Sequence, residues 1–467
     1  MFLLWGLHNF WHQALSLILG RKADRVEPIL DGPGVAILYM TCNDFDPEAS
    51  KSCIEQTYAN SRLVICDDST DPETRRSIDE WAGQFPSRVS VIRRTVRRGY
   101  KAGNINHAIR SAVPEDFFVV CDADEILPPG FISEMLPHVL DSRVAFAQAR
   151  HTARVSDQTR FARLLSFGID LFYKHSLPLR PRYGFVSCFG HGIIVRRSAW
   201  EAIGGFPEIV SEDLGFAMNA LCKGLRGRYV PEVVAQEEFP PTYTALMQRE
   251  RKIVGGTIVC LQTLYADVIK SKNATFTEKA DILLTSSFCF IGLITMINVV
   301  GGIWLAHTYT RYGYIGPSHW LLLLYMVGPL TPIVPLLAYL IRDPRRYSSF
   351  FLSSALAFAS LMPVLGLKSF EQIFHLKNTG FIPTGQVAKG RQLIRNHWFA
   401  IMCGFLLVLA IILMPSPLIG PAVGISLMFM IGPVLCYTER KDVFGIFARN
   451  AGILPYIAIV SIVALTT

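Results

Sequence analysis

Short apolar runs alternate with polar segments through the first part of the chain. The runs at 35–40, 62–66, 89–92 and 117–121 have strand length, and the segments between them, 47–59, 71–84 and 102–112, have helical composition. Strands alternating with helices at this spacing predict a parallel sheet covered on both faces. After about residue 280 the pattern changes. Runs at about 282–306, 319–341, 398–416 and 419–438 are long enough to span a bilayer, and a shorter one at about 452–466 adds a further crossing.

The run at 349–367 lies between the basic residues Arg342, Arg345 and Arg346 and a second basic segment with Lys368, Lys377, Lys389, Arg391 and Arg395. A crossing there would leave one basic segment on the outer face, so the positive-inside bias predicts an interfacial or re-entrant helix. With that choice the loop carrying Arg440, Lys441 and Arg449 falls on the cytosolic side as well. Residues 2–19 are apolar but contain His8, Asn9, His12 and Gln13, and no basic cluster precedes them as in a secretory signal. They predict an amphipathic interfacial helix. Three parts are expected: an N-terminal segment at 1–29, a cytosolic α/β domain at 30–280, and a transmembrane domain at 281–467 that includes an interfacial helix and loop at about 349–397.

Composition agrees with this division. The chain of 467 residues is 51% hydrophobic and only 18% charged, too apolar for an average soluble enzyme yet charged enough to include one aqueous domain. The net charge of +8 sits in short clusters such as Arg93, Arg94, Arg97 and Arg98, or beside apolar runs. Such placement favours a cytoplasmic membrane face and an anionic phosphate substrate. No motif of nucleic-acid recognition accompanies it, so no nucleic acid is expected as a partner. The ten cysteines are scattered singly without zinc-like spacing, as in a reducing compartment.

The acidic clusters follow the predicted strands: Asn43 and Asp44, then Asp67 and Asp68, then Asp122 and Asp124. In open α/β sheets ligands bind at the carboxyl ends of strands, so the clusters are expected to converge on one cleft. Asp122-Ala123-Asp124 places two carboxylates one residue apart, able to hold a hard divalent cation against a diphosphate. An isolated D-x-D is common in loops and helix caps, but here other parts follow in order. Asp67 and Asp68 end a strand where a carboxylate can accept the imide hydrogen of uracil. Lys101-Ala102-Gly103-Asn104 supplies a cation and a close backbone approach for a diphosphate. Ser211-Glu212-Asp213 opens a helical pattern with a candidate general base, and Gln248-Arg249-Glu250-Arg251-Lys252 opens the approach to the membrane.

With these motifs, residues 35 to about 260 resemble the catalytic domain of glycosyltransferase family 2, in its membrane-integrated branch with cellulose, hyaluronan and chitin-oligosaccharide synthases. The resemblance implies a GT-A nucleotide-diphospho-sugar transferase domain followed by an α-helical transmembrane domain, and inversion at the anomeric carbon. It implies that Thr41, Asp44, Asp67 and Asp68 bind the nucleoside, that Lys101 touches the nucleotide, and that Asp122 and Asp124 hold Mg2+ or Mn2+. Asp213 would match the base of the family's T-E-D beside Glu212, with Ser211 where Thr is usual. Gln248 and Arg251 match the Q-x-x-R-W motif, Arg251 neutralising the departing diphosphate. Lys252 replaces the Trp that stacks on the acceptor sugar, which puts processivity in question because an ammonium offers no flat apolar face.

The stretch 189–196, with Gly190, His191 and Gly192, and the stretch 236–241 resemble segments of the osmoregulated periplasmic glucan glucosyltransferases; that likeness puts His191 on the acceptor side, with a core histidine as the alternative, and points to glucose. Phe381-Ile382-Pro383-Thr384-Gly385 resembles the gating loop of cellulose-synthase-like enzymes, with an ordinary Pro-Gly turn as the alternative. The resulting expectation is a processive β-glucan synthase in the plasma (bacterial inner) membrane, using a donor such as UDP-glucose, a growing glycan acceptor, the lipid bilayer and accessory export subunits. Sugar transfer to a polyprenyl phosphate lipid is the alternative enzyme, disfavoured by Gln248 and Arg251. A polysaccharide export or sensing component is the alternative outside catalysis.

Overall fold

The computed structural model describes residues 2–19, 26–154, 159–312, 337–376 and 391–413. Helix α1 (Phe2–Leu19) precedes an α/β domain in which β1 (Val35–Thr41), β2 (Ser61–Asp67), β3 (Val89–Ile92) and β4 (Phe117–Asp122) alternate with α2 (Pro47–Ile54), α3 (Pro72–Ala82) and α4 (Tyr100–Ala112). Asp46 and Asp71 cap α2 and α3 by accepting from the Glu48 and Thr74 amides, and a proline follows each cap at the first helical position. The first four strands therefore form within one or two residues of their expected positions, although α2 stops at Ile54 rather than continuing to 59.

The rest of the sheet departs from the all-parallel expectation. After α5 (Phe131–Met135) come β5 (Val144–Ala153), the short helices α6 (Arg160–Leu165), α7 (Phe167–Leu171) and α8 (Arg180–Tyr183), then β6 (Ile193–Arg196), α9 (Arg197–Ile203), α10 (Glu212–Cys222) and β7 (Arg226–Glu237). The seven strands lie in the order β3-β2-β1-β4-β6-β5-β7, with β6 antiparallel to both β4 and β5. The four-residue β6 follows a loop that reverses the chain, so the sheet is mixed. Its two faces bury separate cores. Ala36, Leu38 and Met40 of β1 pack under α4 and α10, while Val35, Ile37 and Tyr39 face α2, α3 and α5, as the two-residue period of a strand requires.

Apolar helices follow: α11 (Tyr243–Lys270), α12 (Phe276–Ser286), α13 (Ile291–Tyr312), α14 (Leu337–Arg342), α15 (Pro344–Ile373) and α16 (Arg391–Leu413). Three stretches, Tyr243–Lys270, Phe276–Gly301 and Arg346–Ile373, are long and apolar enough to cross a membrane. α11 was expected inside the α/β domain rather than as such a helix; it is continuous over 28 residues. α15 covers the run at 349–367, for which an interfacial or re-entrant helix is expected, as one helix of 30 residues. It packs so tightly on α13 that a Cβ built at Gly292 would lie 2.5 Å from the Gly366 amide nitrogen, a small-residue contact typical of helices packed in lipid. The expected spans at 419–438 and 452–466, and most of 319–341, lie outside the described residues.

Helix α1 docks on this assembly. His8 meets the Asp281 carboxylate at 2.8 Å, and Arg180 approaches the same group at 3.4 Å. The third apolar core joins α6 and α7 to α11 and α15 through Leu165, Ile169, Leu246, Val254 and Leu361. The α/β domain and the apolar helices thus share a packed boundary.

Candidate active site

Parallel pairing sets Thr41 opposite Asp67 and Met40 opposite Asp122, so the predicted acidic clusters leave the sheet at one edge. The first loop is tied down by Asn43, which adopts a left-handed conformation (φ 65°). Its amide donates to Ser69 Oγ (2.8 Å), and its Oδ1 accepts from the amides of Thr70 and Asp71. Asp44 accepts from Thr41 Oγ1 at 2.9 Å and from the Cys42 amide at 2.6 Å.

The adjacent Asp67 and Asp68 have different surroundings. Asp67 is fully enclosed; it accepts from the Ser69 amide and from Arg93 Nε at 2.6 Å, so both oxygens are engaged within the protein. Asp68 keeps 13% of its side chain exposed and forms a two-point pair with Arg94, Nε to Oδ1 at 2.9 Å and Nη2 to Oδ2 at 2.6 Å. Only Asp68 of the two faces the cleft.

Lys101 sits in the first turn of α4. Its ammonium pairs with Asp122 and donates to the Gly190 carbonyl at 2.9 Å. Burial works against its charge, but Asp122 and Glu212 outweigh that and raise its pKa. Burial likewise opposes ionisation of Asp122, yet Lys101 and His191 hold its carboxyl below the ordinary value. Asp124 is treated differently: burial, then the neighbouring Asp122 charge, pushes it up to about 7. It has no ion-pair partner among the described residues.

Across the cleft, Glu212 and Asp213 open α10. Burial, reinforced by Asp213, moves Glu212 up to about 7; burial also raises Asp213, against the hydrogen bond from the Leu214 amide and the charges of Lys101 and Lys252. Gly190, at φ +82°, lies against Asp213, and a Cβ there would come within 3.2 Å of Asp213 Cβ. Helix α11 adds Gln248, Arg251 and Lys252 to the lining, and α1 and α15 reach it through Trp5, Asn9, Phe358 and Lys368. His191 reaches the same cleft, with Nδ1 3.2 Å from Glu125 and Nε2 3.4 Å from Glu237. Burial would lower its pKa, but Glu125, Asp122 and Glu237 raise it to about 10.

Thr41, Asp44, Asp68, Lys101, Asp122, Asp124, His191, Glu212, Asp213, Gln248, Arg251 and Lys252 therefore share one cleft. Asp67 stands behind it, and Phe381 and Thr384 lie outside the described residues. Sequence reasoning passed over Arg94, Glu125 and His151. Arg94 was visible only as one of four clustered arginines, whereas Glu125 directly follows the D-x-D and was open to notice. Nothing local marks His151, which reaches the site through strand pairing.

A family model described as glycosyl transferase family group 2 matches residues 93–370, more than half the chain. The chain belongs to this family. Among family relatives, it is 24% identical over 245 residues to glucomannan 4-beta-mannosyltransferase 2 of Arabidopsis thaliana, covering 50% of this chain and 46% of that protein. It is 24% identical over 241 residues to glucomannan 4-beta-mannosyltransferase 1 of Oryza sativa subsp. japonica, covering 49% and 46%. The chain spans about half the length of the curated relatives it matches. Among solved structures it is similar to the mannosyltransferase PcManGT of Pyrobaculum calidifontis, determined with GDP-Man and Mn2+. The TM-score is 0.56 at 16% identity, with 80% of this chain and 96% of that one covered, a likeness of fold. The architecture is a GT-A-like mixed α/β domain followed by apolar helices able to span a membrane.

Proposed function

We propose that this family member is an inverting hexosyltransferase that extends a β-linked glycan from a nucleotide sugar at a membrane face. One observation carries the reading: Lys101, Asp122 and Asp124 at the strand ends share a cleft with Glu212 and Asp213, and α11 adds Gln248, Arg251 and Lys252 to its lining. Asp122 and Asp124 fit a hard divalent ion, because both are half-buried at the cleft, Asp124 has no ion-pair partner among the described residues, and its charge is opposed by Asp122. Magnesium or manganese held there supplies positive charge to a leaving diphosphate.

The chain's own groups divide the remaining work. Thr41, Asp44 and Asp68 surround the nucleoside, with Asp67 and Arg94 holding Asp68 and its loop in place. Lys101, paired with Asp122 in this state, turns to phosphate when a donor arrives, and Arg251 adds a second cation as the diphosphate leaves. Asp213 accepts the proton of the acceptor hydroxyl as that oxygen attacks the anomeric carbon, and Glu212 tunes its charge. Burial makes Asp213 a stronger base than a solvated carboxylate. Gln248, His191 and Lys252 contact the acceptor. Phe381 and Thr384 belong to a loop that closes over the nucleotide.

Residues 30–280 form the catalytic domain on the cytosolic side of the plasma (bacterial inner) membrane. Residues 281–467 anchor it, guide the product outward and offer surface for export subunits, while 1–29 lie at the interface. For the donor, the resemblance of 189–196 to glucan glucosyltransferases points to UDP-glucose and a β-glucan, and the names of the relatives point to GDP-mannose. A second reading, transfer of single sugars, draws on Lys252, which stands at the cleft where an aromatic acceptor platform is expected.

The test is to supply purified full-length protein in lipid nanodiscs with labelled UDP-glucose or GDP-mannose, with manganese or magnesium, and to analyse product linkage. The reading expects β-linked hexose from one donor and loss of incorporation with excess chelator. Incorporation undiminished by chelator, or none from any nucleotide hexose, contradicts it.

A further inference from the structure

Directly behind the D-x-D lies a cluster of which only His191 reaches the cleft; Glu125 and His151 have no part in the proposed transfer. Glu125, on the turn after Asp124, is fully buried; its Oε2 accepts from the Gly192 amide at 3.0 Å, while its Oε1 has no hydrogen-bond partner. His151 on β5 is equally buried, and His191 precedes β6. The Nε2 of His151 and the Nδ1 of His191 are also buried without hydrogen bonds, yet they lie 3.3 and 3.2 Å from that same Glu125 oxygen. Three lone atoms from three chain segments thus converge within 4.8 Å of one another. Both nitrogens stand at ion-pair distance from Oε1 without hydrogen-bond geometry, so the two rings crowd one carboxylate oxygen that neither addresses directly.

We propose that Glu125, His151 and His191 form a second cation site, separate from the D-x-D, for a borderline divalent transition ion of the zinc class. Ligand atoms around a tetrahedral ion with bonds of about 2.0 Å stand about 3.3 Å apart, which matches the two nitrogen-to-oxygen separations. Two imidazoles and a carboxylate suit such an ion better than magnesium or calcium, which take oxygen ligands. The outer shell has the form that metal-bound histidines require. The remaining nitrogen of His191 faces Glu237 Oε2 at 3.4 Å, and that of His151 meets the Tyr173 hydroxyl at 2.9 Å. Space is kept by Gly192: a Cβ there would fall 2.2 Å from His151 Nε2 and 2.6 Å from Glu125 Oε1, and its φ of +56° is costly for other residues. An ion here joins the D-x-D turn, β5 and the loop carrying Gly190 and His191. It positions Asp122 and Asp124 and carries out no chemical step.

The test needs no turnover. Full-length protein is stripped with chelator, reloaded with zinc, dialysed and measured by elemental mass spectrometry and zinc K-edge absorption. The site predicts about one retained ion per chain, with imidazole scattering at about 2.0 Å, in the wild type and in the Asp122→Asn, Asp124→Asn double variant. His151→Gln loses the ion, and Glu237→Gln weakens zinc affinity about tenfold to hundredfold. Three results each overturn the proposal: no imidazole signal in the wild type, which holds whether or not the variants fold; an ion lost with the D-x-D variant; or zinc retained in full by His151→Gln.

Discussion

Asp213 and Glu212 are adjacent carboxyls at one cleft, so they titrate as a pair rather than separately. Burial raises both, Glu212 to about 7, and a base must be ionised to work. kcat/KM for transfer is therefore expected to fall on the acid side at a pH above the ordinary carboxylate range and to level off above it; a rate that falls only within the ordinary carboxylate range contradicts this assignment. Lys252 makes a second residue-scale prediction. If it contacts the terminal acceptor sugar, Lys252→Ala shortens products more than it slows hydrolysis of the donor, and Lys252→Trp lengthens them by adding a stacking face worth about 1 kcal/mol. Product sizing by mass spectrometry decides, and unaltered lengths in both variants place Lys252 away from the acceptor. At this scale the sequence placed correctly in one cleft the carboxylates next to a strand end, Asp44, Asp68 and Asp122. It was silent on Arg94 holding Asp68 and on His151 meeting Glu125, since those contacts exist only after the chain folds.

Among the elements, β1 to β4 were readable because each is a compact apolar run bounded by polar helices. β5 was not: its sequence, VAFAQARHTA, is rich in alanine and carries Gln, Arg and His, a composition closer to a helix. β7 contains Pro231 and several charges, and β6 is only four residues long. These three strands carry His151 and Glu237 and are preceded by His191, so missing them hid the back of the site. Helix packing offers its own prediction. With a Gly292 Cβ only 2.5 Å from the backbone of α15, Gly292→Val must force α13 and α15 apart, at a cost of about 1–3 kcal/mol for an overpacked contact. Thermal unfolding in detergent should show a lowered midpoint. An unchanged midpoint means that the two helices are not packed this closely.

For the molecule as a whole, α11 is the element that joins the cleft to the apolar helices. Its first turns bring Gln248, Arg251 and Lys252 to the cleft, and its later turns join the apolar core shared with α15. The division between a charged α/β part and apolar helices was visible in the hydrophobic pattern, whereas the length of α11 was not, because its opening turns are strongly charged. The central claim is that this cleft transfers a hexose with Asp213 as the base. Its most direct measurement is the single-turnover rate of hexose transfer by Asp213→Asn, taken together with donor affinity by calorimetry. Asparagine preserves the size of the side chain, so the donor should bind with little change while the transfer rate falls by at least about a hundredfold, the usual scale for a lost general base. A variant that binds the donor and transfers hexose at the wild-type rate contradicts the account.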